Sequence, residues 1–132
     1  MLFRSRVMIY RFDEDYNGEV FAECKNDNLE PFLGLHYPHT DIPAQARALY
    51  LSNKLRILSD VNYEIVPLYG LNDSNAQTNT LELSLASLRS FSPIHIKYLQ
   101  NMGVGATLAI SLIHKGKLWG IIVGHQIGRA HV

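Results

Sequence analysis

Three features of this 132-residue sequence predict an α+β fold built on a central, mostly antiparallel sheet flanked by helices. Two β-rich runs near the start, residues 7–12 and 19–23, are separated by turn chemistry. Two more near the end, residues 107–113 and 118–125, are separated in the same way. Helix signals lie between these pairs, after Pro43 and after Ser92. Strands, then a helix pair, then a strand hairpin place the chain in the α+β class. No internal repeat or coiled-coil pattern competes with that reading.

Residues 7–12 alternate loosely and are rich in β-formers, which predicts a strand. Asp13-Glu-Asp-Tyr-Asn-Gly18 is a turn, with Asn17-Gly18 the strongest hairpin signal, and residues 19–23 return as its partner strand. Cys24 lies at the end of that strand. Residues 25–34 are polar, contain Pro31 and Gly34, and read as a connection. Residues 35–56 begin as a loop stiffened by Pro38 and Pro43, each of which lacks a backbone donor and biases the preceding residue away from the α region. Asp41 stands where a helix can start, and Pro43 suits the first helical turn, where its missing N–H is no loss. Ala44 to Leu49 are helix formers. A stiff loop therefore feeds a short helix, fixes Asp41 and Ile42, and projects Tyr50 and Arg56. On local pattern alone the corner is either a helix cap or a place where backbone atoms meet a ligand.

Residues 56–61 predict a third strand. Residues 63–80, with Pro67, Gly70 and a polar run, predict a long surface loop of the kind that is functional or mobile. Residues 81–89 predict a short helix. Ser92 as N-cap, Pro93 at the first position and Gly103 as the stop frame a second helix, with Ile94, Tyr98, Leu99 and Met102 on one face. His114-Lys-Gly-Lys117 is the tight turn of the last hairpin.

Composition narrows the function classes. The length suits one domain, and 47% hydrophobic residues allow a sizeable core. Lys plus Arg and Asp plus Glu number 12 each, so bulk charge argues neither for nucleic acid nor for a membrane surface. The single cysteine excludes an internal disulfide framework and fits a reducing cytoplasm. The apolar runs near 108–113 and 118–123 are too short to span a bilayer, and the first residues lack the apolar region of a signal peptide. The chain opens directly into a strand, and residues 127–132 match the translation of a common sequencing adapter. The expectation is a domain cut at both ends, followed by an artefactual tail.

Six histidines invite a metal reading, but none shows an i, i+4 pair or a cysteine partner. No nucleophile elbow or glycine-rich phosphate loop is present. What remains is a scatter of Tyr, Arg and His. Tyr10, Tyr37 and Tyr50 offer flat faces with polar tips. Arg56 and Arg89 offer planar forks for carboxylates, and His95 and His125 offer switchable donors or acceptors. Thr107 and Ser111 add hydroxyls from one strand face. Each has a bland alternative as a core tyrosine, surface arginine or capped histidine. Together they suit a pocket for a large, flat, conjugated molecule with two acidic arms.

Five blocks in order carry a family likeness: Arg6-Val-Met-Ile-Tyr-Arg-Phe12, Gly18-Glu-Val20, residues 33–50 around Asp41-Ile-Pro43, residues 88–103 around Ser92-Pro-Ile-His95, and Leu118-Trp-Gly-Ile-Ile-Val-Gly-His125. With them the chain resembles the chromophore-binding GAF domain of phytochromes over nearly all residues from 6 to 125. Residues 1–126 are then expected to be a partial GAF domain, with residues 127–132 the tail. The resemblance implies a light-sensing module, not itself an enzyme, that binds a linear tetrapyrrole, biliverdin above other bilins. It also implies cytoplasmic location, neighbouring PAS- and PHY-type domains, a histidine kinase output and a homodimer in the full-length protein.

The resemblance also assigns roles. The backbone carbonyl of Asp41, in the Asp41-Ile42-Pro43 corner, accepts from pyrrole N–H groups. Arg56 and Arg89 pair with the propionates, and Thr107 lies near one of them. His95 lies against the inner rings and supports their protonated state. His125, Tyr10, Tyr37 and Tyr50 surround the outer ring that rotates on light absorption. Ala109 departs from the serine common in relatives, and Cys24 stands at a strand position where relatives have a small residue, which implies a buried structural thiol there, with a second attachment site as the alternative. Ile94 stands where many relatives carry the anchoring cysteine, so the covalent anchor is expected outside this chain, as in bacterial phytochromes. The alternatives are a GAF domain for another small molecule such as a cyclic nucleotide, or a chromophore-free interaction module.

Overall fold

The structure, a computed structural model, describes residues 5–69, 83–86 and 89–128. Six strands form one antiparallel sheet: β1 (Arg6–Phe12), β2 (Gly18–Lys25), β3 (His36–Tyr37), β4 (Leu55–Leu58), β5 (Val104–His114) and β6 (Lys117–Ile127). Their order is β3-β2-β1-β6-β5-β4, so the two hairpins lie side by side through the β1–β6 pairing. Helix α1 (Ala44–Ser52) links β3 to β4, and helix α2 (Pro93–Asn101) precedes β5. The expected α+β class and antiparallel sheet are both found. Strand β6 extends one residue past the expected boundary at 126.

Both hairpins close as expected, by different means. Lys115 and Gly116 both have positive φ, the two-residue turn whose twist matches the strands it joins. The first hairpin does not rest on Asn17-Gly18. The Asp13 carboxylate accepts from the N–H groups of Asp15 and Asn17 at 2.9 Å each, and the left-handed residue is Tyr16. Gly18 is instead required by space: a Cβ there would fall within the Tyr10 ring.

Two apolar clusters cover one face of the sheet. Phe12, Tyr50, Ala109, Leu118 and Ile121 pack under α1, and Leu58, Val61, Leu99 and Val104 pack under α2 with Ile96 and Met102. The expected helix face on α2 is therefore corrected. Leu99 and Met102 face inward, whereas Ile94 is 83% and Tyr98 51% exposed. Those two residues, four apart, form the ridge beside the one that Leu99 leads. Cys24 is also corrected. It is exposed, because strand alternation turns it to the side opposite buried Glu23. Pro43 lies just before α1, with extended ψ, and its carbonyl accepts from Arg47 N–H at 3.0 Å. Asp41 closes a 3₁₀ turn on Pro38 and does not cap the helix. The expected strand at 56–61 shortens to β4, after which Val61 is held by the Gly105 carbonyl at 2.9 Å. Of the helix expected at 81–89, residues 83–86 form a single turn and residues 81, 82, 87 and 88 lie outside the described residues. The long loop expected at 63–80 is described only to residue 69.

Candidate functional site

Between the two clusters runs a polar strip. Along β5 and β6 it passes Thr107 and His125, which face each other across the ladder and are both buried. The candidate arginines and tyrosines gather at its two ends.

At one end stand the arginines. Arg56, paired with Ala109, points to the same face, and its guanidinium lies 4.2 Å over the Tyr50 ring. That ring is buried by α1, whose end is tied to β5 by Ser111 Oγ donating to the Tyr50 carbonyl at 2.6 Å. Ser111 is thus committed to the helix and not to a pocket. Burial raises the Tyr50 pKa, while Arg56 and Arg89 oppose the rise. Burial lowers the Arg56 pKa, helped by the second cation Arg89. Neither guanidinium is satisfied: Nε and Nη2 of Arg56 and Nη2 of Arg89 are buried without a hydrogen-bond partner. Tyr50 therefore belongs with the arginines.

At the other end stand the tyrosines and the Asp41 loop. The Tyr10 ring rests on Gly18 and meets the Tyr37 ring at 6.0 Å. Tyr37 is placed by the short edge strand β3, paired with Gly18. Burial, then Asp41, Tyr37 and Tyr98, push the Tyr10 hydroxyl up to about 12. Burial leads the upward shifts of Tyr37 and Tyr98 as well, with Asp41 contributing to both. All three hydroxyls keep their protons at neutral pH and can donate. Tyr98 escaped the sequence reading because its spacing matched a core face. Its signal was the position one helical turn after His95.

The loop itself is clamped. Asp41 N–H donates to Pro38 O at 3.0 Å, and His39 N–H donates to Asn17 Oδ1 at 3.0 Å. Arg47 Nη1 donates to Ile42 O at 2.8 Å and to His39 O at 3.4 Å, with its guanidinium 4.3 Å over Tyr16. Arg47 was also missed by the sequence reading, since a mid-helix arginine reads as solvated. Ile42 packs on the α1 cluster, and Pro43 serves the corner through its backbone.

The histidines lie between the ends. His95 meets Phe91 edge-on at 5.5 Å, and its pKa is lowered by burial and then by Arg56. His125 is lowered further, to about 4, by burial, then Arg6, then His95. Its Nδ1 is buried without a partner. Both are neutral at physiological pH. Of two concavities, one lies away from the strip and one reaches His125. One of about 740 Å³, lined by Phe12, Tyr16, His114 and Trp119 among others, sits at the hairpin ends. Another, of about 280 Å³, is lined by Arg6, Phe32, Met102 and His125 among others. Among the described residues, no group of three or more His, Cys, Asp and Glu side chains could hold a metal ion, and no helix is long and apolar enough to cross a membrane.

The arrangement can hold a flat molecule with anionic groups at one end and hydrogen-bonding groups at the other. The GAF domain family profile matches residues 2–131. A bacteriophytochrome of Xanthomonas campestris is 52% identical over 121 residues, covering 92% of this chain and 19% of that protein. Cyanobacterial phytochrome B of Nostoc is 51% identical over 121 residues, with 92% and 16% covered. Among solved structures, the chromophore-binding domain of a Stigmatella aurantiaca bacteriophytochrome variant in the Pr state superposes with a TM-score of 0.88 at 47% identity, covering 98% of this chain and 42% of that one. The chain spans less than a fifth of the length of these curated relatives.

Proposed function

The chain belongs to the GAF domain family, and from that premise we propose that it is the light-sensing module of a phytochrome-type photoreceptor, holding a linear tetrapyrrole, with biliverdin the expected bilin. The observation that carries this reading is the pair Arg56 and Arg89, with three buried guanidinium nitrogens lacking partners. Each unsatisfied buried donor costs about 1–3 kcal/mol. Two neighbouring cations add repulsion. A ligand with two anionic arms relieves both, and planar forks match carboxylates in particular. A bilin carries two propionates, whereas a cyclic nucleotide brings a single phosphate charge and leaves one fork unfilled.

When bound, the bilin supplies visible-light absorption and a double bond that rotates on excitation. The remaining work falls to the protein. Arg56, flattened on Tyr50, and Arg89 bind the propionates, with the Thr107 hydroxyl near one of them. The clamped loop presents the Asp41 carbonyl to the ring N–H groups. His95 and His125, both uncharged, accept or relay protons from the strip between. Tyr10, Tyr37 and Tyr98 close the far end with donor hydroxyls. Ile94, exposed on α2, offers no sulfur, so covalent attachment falls to a cysteine outside this chain. In the full-length protein the module neighbours PAS- and PHY-type domains, signals to a histidine kinase in the cytoplasm and dimerises. Signalling proceeds by a population shift of the surrounding protein.

The test is co-expression with a biliverdin source in the full-length protein. A red or far-red band that changes under illumination is expected, and it should be lost when Arg56 and Arg89 are both replaced by alanine. A purified protein without any such band refutes the reading.

A further inference from the structure

Arg6 is a buried charge with no part in the proposed ligand contacts. It opens β1, is 3% exposed, and is paired with His125 across the β1–β6 ladder, so both side chains face the same side. Its guanidinium lies 3.6 Å over the Phe32 ring, and Nη2 donates to the Glu30 carbonyl at 2.6 Å. The Glu23 carboxylate is 3.6 Å from Nε, beyond hydrogen-bond length, and Nε and Nη1 have no partner. Glu23 is engaged elsewhere, accepting from the N–H groups of Phe32 at 3.0 Å and Leu33 at 3.3 Å. The positive charge of Arg6 is therefore only partly neutralised. Arg6 and His125 also line one cavity of about 280 Å³.

We propose that Arg6 is a positioning residue of the ligand site, whose buried charge holds His125 uncharged so that His125 meets the ligand as a neutral hydrogen-bonding group. Only the ligand's identity rests on the bilin reading. The groups facing His125 are Arg6 from β1, uncharged Thr107 from β5, His95 from α2, and Glu30 from the 25–34 connection, with Glu23 behind Arg6. Glu30 is exposed, so solvent screens it. Arg6 is the one fixed cation among them. The lowered pKa of His125, with Arg6 second to burial among its causes, agrees. An imidazolium at this position would add positive charge to a site that already holds two unfilled guanidiniums.

The experiment follows the His125 imidazole by NMR in ¹³C-histidine-labelled apoprotein from pH 8 downward, with the signal assigned by its absence in His125→Gln. In the double variant Arg6→Gln with Glu23→Gln, which leaves no lone buried carboxylate, the midpoint should rise by roughly one pH unit. Arg6→Lys, which keeps the charge, should stay within a few tenths of the parent. Glu23→Gln alone, which removes the carboxylate that partly offsets Arg6, should lower the midpoint. In pigment-loaded protein, the double variant should gain a pH-dependent absorbance change at its raised midpoint. An unchanged midpoint in the double variant, an Arg6→Lys shift as large, or an unchanged or raised midpoint in Glu23→Gln overturns the proposal. If the double variant does not fold, Glu23→Gln decides the matter, because an unchanged or raised midpoint there overturns the proposal. A normal apoprotein result without bound pigment would sink the bilin reading and leave this one standing.

Discussion

The two ends of the polar strip are built on opposite principles. The arginine end is unfinished: its guanidinium nitrogens are buried and bare, and its two cations repel each other. The tyrosine end is finished before any ligand arrives. Gly18 seats Tyr10, β3 seats Tyr37, and Arg47 locks the backbone around Asp41. The contrast teaches a division of labour. The arginines should govern how tightly the ligand is held, and the tyrosine end should govern what state the held ligand is in.

The strongest way to break this comparison is to delete the arginines. Each charge-assisted contact is worth about 1.5–3 kcal/mol, so Arg56→Ala with Arg89→Ala should weaken bilin binding by roughly a hundredfold or more. Equilibrium titration of the apoprotein checks this. A loss below about threefold would mean that the arginines are not the holding end.

Next in size is the effect of acid. The folded pKa of His125, about 4, lies below the unfolded value near 6.5, so the unfolded chain binds the extra proton between them. The stability this group contributes is present above about pH 6.5 and falls as pH drops towards 4, by up to about 3 kcal/mol. Urea unfolding followed by Trp119 fluorescence should show that slope, and His125→Gln should flatten it. An equal slope in both would place the acid sensitivity elsewhere.

Gly18→Ala should act on the tyrosine end alone. Its Cβ would force the Tyr10 ring away at a cost of about 1–3 kcal/mol, lowering the melting temperature. Bound pigment should be retained with an altered spectrum. If instead the affinity collapses as it does for the arginine variants, the division of labour fails. The smallest effect is expected from Arg47→Met, which removes the bond to Ile42 O and its weaker companion to His39 O, at about 1 kcal/mol. Amide exchange in residues 39–42 should quicken while the arginine end stays unchanged.

Local chemistry made much of the fold legible. Turn residues marked both hairpins, and Ser92-Pro93 with Gly103 framed α2. Sheet order was not legible, because β1 and β6 meet across more than a hundred residues and no local signal records that pairing. Side-chain direction was read least well. Ile94 looked like core by hydrophobicity and is exposed, since Leu99 leads the buried ridge. Cys24 was expected to be buried because relatives carry a small residue there, but alternation gave the inward place to Glu23. For the site, residue types announced the chemistry of Arg56, Arg89, His95 and His125. Arg6 passed unnoticed as a site residue because its burial depends on β6 and on the 25–34 connection, both distant in sequence.

One irregularity sets which changes in chain length the hairpin can absorb. In the β1–β2 ladder Ile9 faces Ala22 and Tyr10 faces Val20, so Phe21 is an extra residue, displayed on the far side against Trp119. Were Phe21 taken into the ladder opposite Tyr10, alternation would turn Gly18 and Val20 outward; set aside as a bulge, it keeps both facing Tyr10 and Phe12. Insertions and deletions are therefore not equivalent along this segment. A residue gained or lost among 13–17 leaves the facing of both strands unchanged and disturbs instead the Asp13 turn and the Asn17 bond to His39. A residue lost at 21 removes the bulge and leaves Tyr10 opposite Val20 and Phe12 opposite Gly18, whereas one lost at 19 turns Gly18 outward and strips Tyr10 of its seat.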